Sequence, residues 1–239
     1  VWKSKGCTRQ DILAYMDHDD TRALVTTQHS LLDHPKLYCL PLGVRSQYDL
    51  NLLLRELREP TSTAAASMNA LPRIIAASDK QATIRDVGTD RPQLLMINSR
   101  PRKMRLHVLD MVIHNLQALG VKNTYNPQDG YQSYLREMRQ SKFILSPSGL
   151  GMDCYRHWEA ILMGTIPVME HLNREDAWYR TLEDLPILWV DSYENLTEDS
   201  LESEYRRIMS NSKTYNYHKL TKQWWIHTIK STLSLPSSP

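Results

Sequence analysis

A turn of small residues joins an apolar, strand-like segment to a segment with helical periodicity in the second half of the chain. The turn reads Ser146, Pro147, Ser148, Gly149, Leu150, Gly151. Its glycines allow a close backbone approach, and unpaired N–H groups at the start of the next helix attract a phosphate. Such a turn lies at the carboxyl end of a parallel sheet, where open α/β folds bind ligands. We expect a phosphate site here; a structural turn in which Asp153 only caps the helix is the alternative.

Two charged residues lie near the start of the helix that follows this turn. Arg156 and Glu159 are three positions apart, so they share one helix face. An arginine can bind a diphosphate through two hydrogen bonds, and a glutamate can accept hydrogen bonds from both hydroxyls of a ribose. The pair therefore indicates a nucleoside diphosphate as the ligand, with a purely structural Arg–Glu pair as the alternative.

A second basic group begins just after the strand predicted at 94–97. It consists of Arg100, Arg102, Lys103 and Arg105. By position these residues face the same diphosphate, with a solvated basic turn as the alternative. No aromatic residues alternate with them, which disfavours a nucleic-acid surface. The whole chain carries 29 basic and 27 acidic residues, a formal net charge of +2, so bulk charge does not favour a polyanion partner.

The elements that must position these residues alternate between short apolar runs and helical stripes, the pattern of a parallel sheet with crossover helices. Strands are predicted at 94–97, 121–125 (weak), 143–145, 165–169 and 187–190. Helices are predicted around the stripe Leu109 to Leu119, which Gly120 ends, around Tyr131 to Met138, at 153–163, after an N-cap at Thr197, and from Leu220 to Leu233. We therefore predict a doubly wound α/β domain over 91–239.

The first 90 residues form a smaller unit. Strands are predicted at 23–26 and 37–40, and Ser46 is predicted to cap a helix through Leu57. The polar, low-complexity stretch within 60–90 is predicted to be a linker. Two strands are too few for a full Rossmann lobe, so we expect residues 1–90 to be a small or incomplete lobe on the acceptor side.

Composition narrows the class of protein further. A chain of 239 residues with 41% hydrophobic content is not disordered, and no apolar run approaches the roughly 20 residues of a membrane span. The three cysteines are widely spaced, so we expect thiols rather than a disulfide framework or a zinc site. We favour a cytoplasmic location, or the lumen of the secretory pathway if an anchor was removed.

Several segments together resemble the exostosin-like glycosyltransferases of the GT-B fold. They are Lys142 to Gly149, Gly151, Asp153, Arg156 to Ala160, Gly164 to Val168 and Asp184 to Ile187. The resemblance covers about 93–225. It is thinner over 23–45, where it rests on His34-Pro35-Lys36 and Leu40 to Gly43.

The resemblance implies two Rossmann-like lobes, with a UDP-sugar held by the C-terminal lobe and a glycan acceptor bound from the N-terminal lobe. In such enzymes the residues at Arg156 and Glu159 contact the donor phosphate and ribose. Many members carry an arginine where this chain has Ser148, so one phosphate contact is missing or relocated, and Arg105 is the preferred replacement. Asp153 and His171 are expected to contact the donor sugar, His171 because it follows the strand ending at Met169.

The general base and any metal ligands are expected among the acidic residues and histidines of the N-terminal lobe. If the reaction inverts configuration, the general base is an Asp, Glu or His lining the cleft, and the candidates are His29, Asp19 and Asp20. Asp17 and Asp19 form an Asp-x-Asp motif, with which GT-A glycosyltransferases bind a divalent cation. There the motif ends a strand, whereas Ile12 to Met16 has helical spacing, so a metal site is possible but not favoured.

These observations predict a metal-independent transfer of sugar from a UDP-sugar, preferably UDP-xylose, to a hydroxyl of a glycan. The preference for xylose rests on a loose analogy with similar domains in large algal viruses. An inactive carbohydrate- or nucleotide-binding protein of the same fold, and a metal-dependent GT-A enzyme using Asp17 and Asp19, are the alternatives. We expect no cofactor, no nucleic acid partner and no membrane span.

Overall fold

The structure is a computed structural model that describes residues 9–26, 34–44, 51–53, 55–56, 91–101, 103–148, 152–171 and 177–232. The helices are α1 (Arg9–Asp17), α2 (Lys103–Asn115), α3 (Tyr131–Arg139), α4 (Tyr155–Leu162), α5 (Ala177–Leu182), α6 (Glu198–Ser210) and α7 (Lys222–Thr232). The strands are β1 (Leu24–Thr26), β2 (Leu37–Cys39), β3 (Gln93–Met96), β4 (Ser141–Leu145), β5 (Ile166–Glu170) and β6 (Leu188–Val190). Short 3-10 helices occur at Gln117–Leu119, Tyr193–Asn195 and Tyr217–Leu220. The predicted linker at 60–90 lies outside the described residues.

Strands β3, β4, β5 and β6 form a parallel sheet in that order. Asn123 adds an isolated parallel bridge to Ile97, which extends the sheet beyond β3. The chain therefore leaves β3 through α2 toward one side of the sheet and returns through α3 to β4 on the other. In open α/β sheets this reversal of direction leaves a crevice at the carboxyl ends of the two strands, where ligands bind.

Side chains alternate along the strands, so the sheet supplies two hydrophobic layers. Leu95 and Phe143 point into a cluster that also contains residues of α2 and α6. Met96 and Ile144 point to the other face, where α3, α4 and α5 pack. This three-layer arrangement, with helices on both faces of a parallel sheet, confirms the predicted α/β class.

The amino-terminal edge of this sheet is held by a buried arginine. The Arg91 guanidinium donates to the Ser141 carbonyl at 2.7 Å, to the Thr165 hydroxyl at 2.8 Å and to the Met163 carbonyl at 2.9 Å. Burial lowers the pKa of Arg91 to about 10. The side chain thus joins the start of β4 to the turn before β5.

The N-terminal residues pack onto the same unit. Strands β1 and β2 form a separate parallel pair. Met16, Leu37 and Cys39 are buried in the same cluster as α3, α4 and α5. The Thr181 hydroxyl of α5 donates to the Cys39 carbonyl at 2.9 Å. These contacts fix the described N-terminal residues against the larger sheet, while the two-lobe GT-B arrangement stays a prediction.

Several predicted elements differ from the structure. Residues 121–125 contribute only the single bridge at Asn123, because the segment is short and mostly polar and pairs along just one edge. The predicted 153–163 helix begins at Tyr155, and Leu220 belongs to a 3-10 turn before α7. Helix α5 is absent from the prediction because six residues are too few for a clear hydrophobic stripe.

Other local predictions are confirmed. Thr197 caps α6 in a reciprocal capping box with Ser200. Gly120 ends the segment after α2 with a left-handed backbone at φ 65°, a conformation that glycine adopts without strain. Cys39 and Cys154 are free thiols, as expected. Among the described helices, none has the length and apolar content that a membrane crossing requires.

Candidate functional site

A cavity of about 440 Å³ opens at the carboxyl end of β3, where the chain reverses direction across the sheet. Its walls come from the residues after β3, the segment before α3, and the first turns of α3 and α4. The lining includes Asn98, Arg100, Tyr125, Tyr131, Tyr134, Cys154, Arg156 and Glu159. This volume lies within the range of small-molecule sites, roughly 300 to 1,000 Å³.

Arg156 is held at the start of α4 by one backbone contact. Its Nη2 donates to the Asn98 carbonyl at 3.3 Å. Its Nε and Nη1 are inaccessible to solvent and have no hydrogen-bond partner in the described part of the chain. Burial disfavours the charge, but Cys154, Tyr134 and Glu159 outweigh it and raise the pKa of Arg156. A half-buried cation that lines a cavity at a helix N-terminus suits an anionic ligand.

Glu159 lies one turn further along α4 and is only 6% exposed. The Tyr131 hydroxyl donates to its Oε1 at 2.8 Å, and the Tyr134 hydroxyl donates to its Oε2 at 3.1 Å. A carboxylate can accept about four hydrogen bonds, and these tyrosines supply two of them. The cavity therefore presents a cation and an oriented carboxylate on adjacent turns of one helix, and the predicted common helix face of the two residues is confirmed.

Ser146 contacts a buried histidine rather than the cavity. Its Oγ lies 2.8 Å from His157 Nδ1, and His157 Nε2 lies 3.0 Å from the Met152 carbonyl. Cys154 Sγ lies 3.4 Å from His157 Nε2. Burial opposes the Cys154 thiolate, but the charges of His157 and Arg156 lower the pKa of Cys154 to about 6. The pKa of His157 rises because Cys154 and Asp153 outweigh its burial.

Asp153 joins α4 to the segment after β2. Its Oδ2 accepts from the Leu42 N–H at 2.7 Å, and its Oδ1 accepts from the Trp158 indole N–H at 2.8 Å. The interpretation of Asp153 as the helix cap is wrong: Cys154 occupies that position, with no side-chain cap. The carboxylate instead binds a distant backbone donor. Burial raises its pKa.

The structure brings only some of the predicted donor-binding residues to the cavity. Arg100 is exposed and lines it, together with Arg156 and Glu159. Arg105 lies in the first turn of α2, and its side chain is outside the described part. Ser146, Pro147, Ser148 and Asp153 are described but do not line it, and Gly149 and Gly151 lie outside the described residues.

His171 belongs to an aromatic cluster at the end of β5. Its ring stacks on Trp189 with centroids 5.0 Å apart and planes 17° apart, and it also contacts Tyr179. The His171 backbone N–H donates to the Val190 carbonyl at 2.7 Å. His171 does not line the cavity described above. Its predicted contact with the donor sugar therefore stays a prediction.

The acidic candidates form an exposed turn after α1. Asp19 and Asp20 are exposed and do not line the cavity, while Asp17 Oδ1 lies 3.0 Å from His34 Nε2. The predicted helix before this motif is confirmed, so the motif does not end a strand as it does in GT-A enzymes. No three His, Cys, Asp or Glu side chains group as metal ligands within the described ranges. The candidate base His29 lies outside them.

Sequence reasoning did not assign Tyr131, Tyr134, Tyr125, Asn98 or Cys154 to the site. Tyr131 and Tyr134 were interpreted only as part of the hydrophobic stripe of α3. A signal was present, because two tyrosines three positions apart place two hydroxyls on one helix face. The segment before α3 gives no comparable signal, because its approach to α4 depends on the tertiary fold.

Comparison with known proteins gives one family. The family model described as the RXYLT1 C-terminal domain matches residues 98–234, more than half of the chain. A search of curated proteins finds no match. The matched span begins at Asn98 and includes all the residues that line the cavity, with Arg156 and Glu159 among them. The chain therefore belongs to the RXYLT1 C-terminal domain family, a xylosyltransferase-related group of glycosyltransferases.

Proposed function

We propose that this chain contains the donor-binding part of a glycosyltransferase that moves xylose from UDP-xylose to a hydroxyl of a glycan acceptor. The observation that carries the proposal is that the Arg156 guanidinium and the Glu159 carboxylate both line the 440 Å³ cavity at the start of α4. The choice of xylose is supported by membership of a xylosyltransferase-related family. The choice of UDP comes from the resemblance described above.

In this proposal the diphosphate binds at the start of α4. Arg156 donates to its oxygens, the N–H groups at the helix N-terminus add partial positive charge, and Arg100 approaches from the exposed side. Glu159 accepts hydrogen bonds from the ribose hydroxyls. The nucleoside then extends along the wall formed by the segment before α3.

Catalysis in this arrangement is electrostatic. Breaking the bond between the sugar and the diphosphate builds negative charge on the departing UDP. A guanidinium fixed before the reaction stabilises that charge more in the transition state than in the ground state. Arg156 and the helix N-terminus supply this stabilisation from the protein itself, so we propose a transfer that does not depend on a divalent cation.

The base that activates the acceptor is proposed to come from the N-terminal part. His29, Asp19 and Asp20 are the candidates, of which Asp19 and Asp20 lie in the exposed turn after α1. His29→Ala, Asp19→Asn and Asp20→Asn would be assayed for transfer and for UDP affinity. Substitution of the base lowers turnover and leaves UDP affinity unchanged. If none of the three lowers turnover, the base lies elsewhere.

A thermal-shift screen tests the proposed donor. UDP-xylose, other UDP-sugars and ATP would each be added with and without EDTA. At a concentration about 100 times its Kd, a ligand adds about 2.7 kcal/mol of stability, or roughly 5 to 10 °C in Tm for a domain of this size. We expect the largest shift with UDP-xylose and no effect of EDTA. A shift with ATP but with no UDP-sugar would overturn the proposal.

A further inference from the structure

Two tyrosines of α3 hold the carboxylate of Glu159 in one orientation. Their hydroxyls donate to different oxygens of that carboxylate, at 2.8 Å from Tyr131 and 3.1 Å from Tyr134. The two rings stack on each other with centroids 5.8 Å apart and planes 28° apart. All three residues line the cavity beside Arg156.

The two hydrogen bonds restrict rotation of the Glu159 carboxylate about its terminal torsion. The terminal torsion of a glutamate side chain is broad, so a carboxylate with no fixed partners samples many planes. One donor on each oxygen selects a single plane. Glu159 is also 6% exposed, so little water competes for these oxygens.

Tyr134 is fixed as a hydrogen-bond donor. Burial and the charge of Glu159 raise its pKa well above the ordinary value for tyrosine, while Arg156 acts in the opposite direction. The phenol therefore stays protonated over the whole range in which the protein would be assayed. Its proton is directed at Glu159 Oε2.

We propose that Tyr131 and Tyr134 are positioning residues that orient Glu159 toward the ribose and thereby make the site select ribonucleotides over 2′-deoxyribonucleotides. This inference rests on the proposed function, because it requires a nucleotide in the cavity. The 2′- and 3′-hydroxyls of a ribose are two donors at a fixed spacing. A carboxylate held in a matching plane accepts from both, and a ligand lacking one hydroxyl loses one of these hydrogen bonds to a charged group.

A purely structural role for the tyrosines has a different consequence. If the hydroxyls only stabilised the packing of α3 on α4, their removal would lower stability and weaken UDP and 2′-deoxy-UDP equally. The ratio of the two dissociation constants separates the two roles. Tyr→Phe removes only the hydroxyl and keeps the ring that packs in this region.

The experiment is a calorimetric titration of UDP and 2′-deoxy-UDP into the wild-type chain, Tyr131→Phe, Tyr134→Phe and the double variant. Tyr205→Phe is the control, because Tyr205 packs edge-to-face on Phe143 at the opposite face of the sheet. The Glu159→Gln variant shows how much preference for UDP over 2′-deoxy-UDP remains when a neutral amide replaces the carboxylate. Thermal unfolding of each variant confirms that it is folded at the titration temperature.

We expect the wild-type chain to prefer UDP by about tenfold or more, because one lost hydrogen bond to a charged group has that effect. Each single variant should reduce the ratio by about threefold, and the double variant should approach the ratio of Glu159→Gln. An unchanged ratio in the folded double variant overturns the inference and leaves the proposed function standing. A wild-type chain that binds neither nucleotide overturns both.

Discussion

The Arg156 guanidinium donates from Nη2 to the Asn98 carbonyl at 3.3 Å, and this contact joins the start of α4 to the carboxyl end of β3. The crevice between β3 and β4 is where the chain reverses direction across the sheet. The contact therefore places a cation at the position where open α/β sheets bind ligands. Asn98 is also the first residue of the span that matches the family.

The buried Arg91 and the half-buried Arg156 provide a matched test of structural and binding roles. Arg91→Met removes donors to the Ser141 and Met163 carbonyls and should cost about 2 to 4 kcal/mol of unfolding free energy, because those acceptors stay buried. Arg156→Met should change stability by less than about 1 kcal/mol, because the lost hydrogen bond to Asn98 and the lost attraction to Glu159 are offset by no longer burying the charged Nε and Nη1. Urea unfolding of both variants measures the difference. Equal losses would place Arg156 among the structural residues.

Because Asp153 accepts two hydrogen bonds from protein donors, its substitution should lower the free energy of unfolding. Asp153→Asn keeps one acceptor and directs an NH2 group at either the Leu42 N–H or the Trp158 indole. We expect a loss of about 1 to 3 kcal/mol in unfolding free energy. UDP-xylose affinity of the folded variant should stay unchanged. An affinity loss at unchanged stability would favour the predicted contact of Asp153 with the donor sugar.

The Cys154 thiol gives a pH-dependent signal inside the cavity. Its pKa of about 6 means that the thiolate fraction falls as pH drops below 6, so the alkylation rate with iodoacetamide should be half-maximal near pH 6. His157→Gln should move this midpoint upward, toward the ordinary thiol value of 9.0. Mass spectrometry identifies the labelled residue, with the buried Cys39 as a slow internal control. UDP should slow the reaction, and a wild-type midpoint near 9 would contradict the electrostatic description.

Hydrophobic periodicity predicts most of the larger sheet. Strands β3 to β6 and helices α2, α3, α4 and α6 each bury a regular set of apolar residues, so their positions are encoded locally. The N-terminal α1 and both short strands are also found close to their expected positions. Helix α5 and the single bridge at Asn123 are not predicted from local periodicity, because their conformation depends on neighbours distant in the sequence.

The candidate site likewise combines features set by local sequence with contacts between residues that are distant in sequence. The common helix face of Arg156 and Glu159 is predictable because their spacing and their position after a small-residue turn are local features. Their partners are not predictable from spacing, since Asn98 is 58 residues from Arg156 and Tyr131 is 28 residues from Glu159. Asp153 shows the same limit, because its Leu42 donor is 111 residues away.

The proposed function depends on binding of a nucleotide diphosphate by Arg156 in this cavity. Calorimetric titration of UDP into wild-type, Arg156→Met and Arg207→Met chains tests it most directly, because Arg207 pairs with Glu204 on an exposed face of α6. Hydrogen bonds to charged groups contribute about 1.5 to 3 kcal/mol, so Arg156→Met should weaken UDP binding by roughly 10- to 100-fold. Arg207→Met should bind UDP like the wild type. Equal UDP affinity in all three chains would contradict the claim.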